Sequence, residues 1–154
     1  MRSSSNVETF HPRYLAAFKE LNLEWIETHF SVEKTDLEQL ENPERAILSP
    51  GGEIFFVLDE GTPVGTCALI PHGPSCFELS KMAVDPKYRG RGYGDLLIEA
   101  AIDWARRHHA SKVLLLSNTV LEPAISLYRK HGFTECGTSH DDYLRCNIQM
   151  ELSL

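Results

Sequence analysis

One ordered alternation of strand and helix constrains the fold of this chain more than any bulk property. The apolar stretch CFELSKMAV (Cys76–Val84) runs through Asp85-Pro86 into KYRGRGYGDLL (Lys87–Leu97), which sets two arginines and three glycines ahead of a helical repeat. Leu96, Leu97, Ala100, Ala101, Trp104 and His108 then recur on one face of a helix that begins near Gly92 and runs to about His109. KVLLLS follows, a nearly uninterrupted apolar run that reads as a strand buried on both faces. Pro123 suits the start of another helix, whose apolar side includes Ala124, Leu127 and Tyr128 and which Gly132 ends. FTEC and YLRCNIQMEL read as the closing strands. A β-α-β-α-β order of this kind implies a mixed α/β sheet.

Upstream, Tyr14, Leu15, Phe18, Leu21, Trp25 and Ile26 predict a helix over Arg13–Phe30. A short helix over Lys34–Glu41 is closed by Asn42-Pro43. EIFFVL, the turn DEGTP and VGTCALI predict a hairpin over residues 53–70, and CFELSKMAV supplies the third strand. With no repeat or linker in its 154 residues, the chain reads as one domain, 1–154. A formal net charge of −7 argues against broad binding to nucleic acid or to anionic membranes, so the basic loop is a local feature. No run approaches the ~20 apolar residues of a membrane span. MRSSSNVETF lacks the apolar centre of a secretory signal, and Cys67, Cys76, Cys136 and Cys146 are scattered without CxxC spacing. Reduced thiols, a cytoplasmic location and no metal site are the expectations.

The loop asks whose phosphate it holds. Glycines let main-chain N–H groups approach a ligand, arginines offer multi-donor forks, and a helix N-terminus favours anions. A nucleoside-triphosphate loop needs Gly-Lys-Ser or Gly-Lys-Thr, whereas Gly94 is followed by Asp95 and Leu96. A dinucleotide fold wants GxGxxG straight after its strand and an acid about 20 residues on; here the glycines are 90, 92 and 94, and the next strand ends in Ser117-Asn118.

Arg89-x-x-Gly92-x-Gly94 resembles the acyl-CoA pyrophosphate loop of the GNAT superfamily of N-acetyltransferases, and LLLSNTVLEPAISLYRKHGF resembles that family's splayed strand, following helix and Leu-Tyr-x-x-x-Gly-Phe ending. The resemblance covers residues 53–137 and implies a mixed, mostly antiparallel sheet of six to seven strands flanked by about four helices. It implies acetyl-CoA as cosubstrate, a primary amine on a small molecule or peptide as acceptor, and direct attack in a ternary complex. Main-chain groups of Met82, Ala83 and Val84 would hold the pantetheine arm. The Arg89, Gly90, Arg91, Gly92, Tyr93 and Gly94 loop would hold the pyrophosphate, with Asn118 on the pantetheine or serving as a helix N-cap or turn residue. Tyr128 matches the tyrosine that protonates the CoA sulfur, with packing as its other reading.

Glu78 stands where some branches carry a base glutamate; a salt bridge, for instance to Lys81, or a solvent-facing position are the alternatives. Tyr143, Arg145 and Asn147 alternate along the closing strand and would share a face, from which Arg145 could bind an acceptor carboxylate. Trp25 and Phe30 would wall the same pocket or pack in the core, and His140, Asp141 and Asp142 precede that strand. His72 reads as a turn residue, and His108 and His109 as a helix end. An exposed final strand would allow a homodimer. The rival reading from another class is a catalytically silent CoA-binding sensor.

Overall fold

A computed structural model of the chain describes residues 5–137 and 145–154. Among these residues the strands are β1 (Ser5–Thr9), β2 (Glu53–Asp59), β3 (Thr62–Pro71), β4 (Cys76–Val84), β5 (Lys112–Ser117), β6 (Thr134–Glu135) and β7 (Ile148–Ser153). They form one seven-stranded sheet in the order β1-β2-β3-β4-β5-β7-β6. Only the β4–β5 pairing is parallel; the others are antiparallel. The α-helices are α1 (Leu15–His29), α2 (Lys34–Glu41), α3 (Tyr93–Arg107) and α4 (Glu122–Lys130), beside short helical turns at Pro12–Tyr14, Glu44–Leu48 and Pro86–Tyr88. This is the mixed, mostly antiparallel α/β sheet the sequence implies. None of these helices is long and apolar enough to cross a membrane.

Each face of the sheet has its own core. The two-residue period of β2 sends Ile54, Phe56 and Leu58 to the face covered by Tyr14, Phe18, Ile26 and Leu40. Phe55 and Val57 point the other way, into a cluster with Leu97, Ile98, Ala101, Tyr128 and Phe133. The run from Ile54 to Leu58 is therefore apolar without a break because both of its faces are covered. β1 was not apparent in the sequence: SNVET is mostly polar and pairs along one side only, with β2.

Two irregularities shape β4. In its pairing with β3, Thr66 opposes Ala83 but Ala68 opposes Ser80, so β4 carries an extra residue. Lys81, inside that bulge, has φ +53. On its other edge β4 pairs with β5 only from Cys76/Lys112 to Leu79/Leu115, after which the two strands part.

The C-terminal expectations need correction. β7 starts at Ile148, so Arg145 and Asn147 lie in the segment before it and the shared-face argument does not apply. β7 is also an interior strand, paired with β5 and β6, and among the described strands the edges are β1 and β6. Tyr143, with His140, Asp141 and Asp142, lies outside the described residues.

Candidate active site

A cavity of about 620 Å³ opens where β4 and β5 part. Ser80–Val84 line it from β4 and Leu116, Ser117 and Asn118 from the end of β5, joined by the start of α3 and the end of α1. Beyond Leu79, β4 pairs only with β3 among the described strands, so its second edge presents main-chain groups to the cavity.

The loop end is built by local chain chemistry. Asp85 Oδ1 accepts from the Lys87 N–H at 2.9 Å and closes a short turn over Pro86–Tyr88. Gly92, at φ 80, then occupies the left-handed region that lets the chain turn directly into α3. The first turn of α3 leaves amides without intrahelical partners and carries a partial positive charge. At Gly94 a Cβ would sit 2.8 Å from Leu127 Cδ2, so the absent side chain brings α3 close to α4. Arg89 lines the cavity; its exposed side chain lies 3.7 Å from Glu24. The Arg91 side chain does not line it but stacks on Tyr88 and lies 3.4 Å from Asp59. A CoA ester fits this arrangement, which offers free helix amides for a pyrophosphate and an unpaired strand edge for an amide-bearing arm.

The cavity also collects side chains from β4, α4, α1 and the segments that follow α1 and β5. Glu78 on β4 is 6% exposed, which removes the solvent-facing alternative. Tyr128 on α4 also lines the cavity, its ring packed edge-on against Phe133. Burial raises the Tyr128 hydroxyl pKa, so the group stays protonated through the neutral range. Trp25 and Phe30 both line the cavity and meet edge-to-face, with centroids 6.4 Å apart. Asn118 makes a turn rather than a helix cap: its Oδ1 accepts from the Val120 N–H and its Nδ2 donates to the Arg145 carbonyl. The N-cap position of α4 is Leu121.

Arg145 also lines the cavity, but its fork is directed at a residue that sequence pattern did not single out. Nη1 and Nη2 each donate to Asp36 at 2.7 Å, and Nη1 also approaches Glu33 at 3.3 Å. Lys81 Nζ reaches the same Asp36 at 2.9 Å. Burial alone would raise the Asp36 pKa, but the Arg145 hydrogen bonds and the Lys81 charge overcome it and hold the carboxyl at about 2. A hint existed in Glu33-x-x-Asp36, which forms a capping box at the start of α2. Nothing local indicates that this cap would be fully buried.

A sheet that parts beside a glycine-led helix N-terminus is the arrangement that the resemblance to acyl-CoA-dependent transferases implies. Residues 15–133 match the Acetyltransferase (GNAT) family. The chain is 33% identical over 127 residues to an uncharacterized N-acetyltransferase of Schizosaccharomyces pombe, covering 79% of this chain and 77% of that protein. It is 29% identical over 131 residues to the N-acetylaspartate synthetase of Homo sapiens, covering 84% of this chain and 41% of that one. An acetyltransferase of the GNAT family from Staphylococcus aureus Mu50 superposes with a TM-score of 0.87 at 22% identity, covering 97% of this chain and 98% of that one. A Salmonella typhimurium structure containing acetyl-CoA superposes at 0.78 and 18% identity, covering 98% and 94%. The chain belongs to the GNAT family of acetyltransferases, which use acetyl-CoA.

Proposed function

We propose that this chain transfers the acetyl group of acetyl-CoA to a primary amine of a small molecule or peptide, by direct attack within a ternary complex. The observation that carries this reading is one cavity lined by the helix-start glycines, the free edge of β4, Glu78 and Tyr128. Acetyl-CoA supplies an activated acetyl thioester. The amides from Arg91 to Gly94 hold the anionic end through the field of the α3 N-terminus. Main-chain groups of Met82, Ala83 and Val84 hold the arm, and one of their amides faces the carbonyl oxygen.

An alkylamine of pKa ~10 is almost wholly protonated at neutral pH, so a base is needed before it can attack. The Glu78 carboxylate takes that proton, directly or through one water. The Tyr128 hydroxyl, protonated throughout the neutral range, donates its proton to the departing sulfur, and the second proton that the acetylated nitrogen gives up restores it. Trp25 and Phe30 wall the acceptor end. Arg145 serves there as a paired cation on that wall rather than as a free carboxylate clamp.

Thermal melts with acetyl-CoA, NADH and ATP at matched excess, followed by thiol release over a panel of amines, test the reading. A ligand at about 100 times its Kd adds ~2.7 kcal/mol, a shift of several degrees for a domain of this size. A shift with acetyl-CoA together with amine-dependent thiol release is the expected result. A shift without release from any amine favours the sensor reading, and no shift refutes both.

A further inference from the structure

Acetyl transfer as described uses Glu78, Tyr128 and the main chain of β4, yet the most deeply buried charges lie just behind the acceptor end. Asp36 is 0% exposed and does not line the cavity, whereas both of its cationic partners do. Each of its oxygens accepts twice. Oδ1 takes Lys81 Nζ at 2.9 Å and Arg145 Nη2 at 2.7 Å; Oδ2 takes Arg145 Nη1 at 2.7 Å and the Glu33 N–H at 2.9 Å. One carboxylate therefore ties the start of α2, the bulge of β4 and the segment before β7.

Both cations sit where the acceptor end takes its shape. The Lys81 side chain is 1% exposed, and an ammonium so desolvated needs a counter-charge. Its φ of +53 is a strained conformation for a residue with a side chain, kept only where the surroundings enforce it. It lies three positions from Glu78 on the same strand. The Arg145 guanidinium lies 5.5 Å from the centroid of the Trp25 ring and 6.0 Å from that of Phe30. The Trp25 indole is oriented in turn by its N–H bond to Asn22 Oδ1 at 3.0 Å. Loss of the Asp36 charge would release the bulge beside Glu78 and the cation under the aromatic wall together. The α3 and α4 side of the cleft packs through a separate apolar cluster that contains Leu97, Ile98 and Tyr128.

We propose that Asp36 is a positioning residue for acetyl transfer: from outside the cleft it holds Lys81 and Arg145 together and so sets the acceptor end, leaving the cofactor end unaffected. This rests on the acetyl-transfer reading. Its signature is a loss in kcat/KM for the amine at unchanged affinity for acetyl-CoA.

The test compares Asp36→Asn with the wild type in two readouts. In a Trp104→Phe background Trp25 is the sole remaining tryptophan of the two in the chain. There, Asp36→Asn shifts the emission and acrylamide quenching of Trp25 while the acetyl-CoA melting shift is kept. In kinetics with the panel amine that the wild type uses fastest, kcat/KM for the amine falls about 10- to 100-fold. KM for acetyl-CoA stays within roughly twofold. Lys81→Met gives the same kinetic split and leaves Asp36 its two Arg145 bonds, which guards against a variant that fails to fold. Unchanged Trp25 emission, an unchanged kcat/KM, or an equal loss of acetyl-CoA binding overturns the proposal. A wild type that neither binds acetyl-CoA nor releases thiol refutes the acetyl-transfer reading instead, and the emission readout still decides the hold of Asp36 on Trp25.

Discussion

Replacing Asp36 with asparagine keeps the side chain's shape and removes its charge, which makes acid stability a direct test of the buried cluster. The folded-state pKa of about 2, against an ordinary value of 3.8, is a depressed carboxyl pKa. Its contribution is therefore fully present above the unfolded value and is lost as pH falls through the folded one. At 1.36 kcal/mol per pKa unit the contribution is about 2 to 3 kcal/mol, of which roughly 1 kcal/mol is gone by pH 3. At pH 7, Asp36→Asn should cost about 3 to 5 kcal/mol, because Lys81 and Arg145 lose a counter-charge in a desolvated site. That corresponds to a melting-temperature drop of about 6 to 20 °C for a chain of this length. Urea unfolding of both proteins at pH 7, 5, 4 and 3 measures the gap. The expected gap is widest at pH 7 and about 1 kcal/mol narrower at pH 3. A gap of constant size from pH 7 to pH 3 would refute the linkage, and a variant as stable as wild type at pH 7 would refute the buried triad itself.

Three further outcomes concern the chemistry. Tyr128→Phe keeps the ring packed on Phe133 and removes the proton donor, so kcat should fall about 100-fold with the acetyl-CoA melting shift intact; unchanged turnover would remove the general-acid role. Glu78→Gln should depress the rate and abolish the acidic limb of the pH–rate profile that reports the base, whereas an unaltered profile would return Glu78 to a structural role. Arg89→Ala alters an exposed side chain, so stability should move by less than about 0.5 kcal/mol. Its CoA affinity should nevertheless drop about tenfold, with binding of a phosphate-free pantetheine thioester unchanged; equal losses in calorimetric titrations would show that it does not hold phosphate.

KYRGRGYGDLL was legible because what it specifies is local. A residue without Cβ at position 92, an aspartate turn at Asp85 and an amphipathic repeat from Tyr93 act within a few residues, whatever the rest of the chain does. The same holds for KVLLLS, whose unbroken apolar run needs cover on both faces, and for the helices that hydrophobic period places at Arg13–Phe30 and Lys34–Glu41. The polar β1 and the true start of β7 at Ile148 escaped because pairing with a neighbour, not composition, makes them strands. Arg145 shows the limit most clearly. In sequence it alternates with Tyr143 and Asn147 and suggests a free clamp, but folding carries it to Asp36, 109 residues away. Sequence alone thus determined the glycine turn into α3 and the class of sheet, since turn, cap and periodicity energies are set within a few bonds. Only the tertiary structure decided that Asp36, Lys81 and Arg145 meet behind Trp25 and Phe30, because a buried ion pair exists only where packing excludes water around both partners at once.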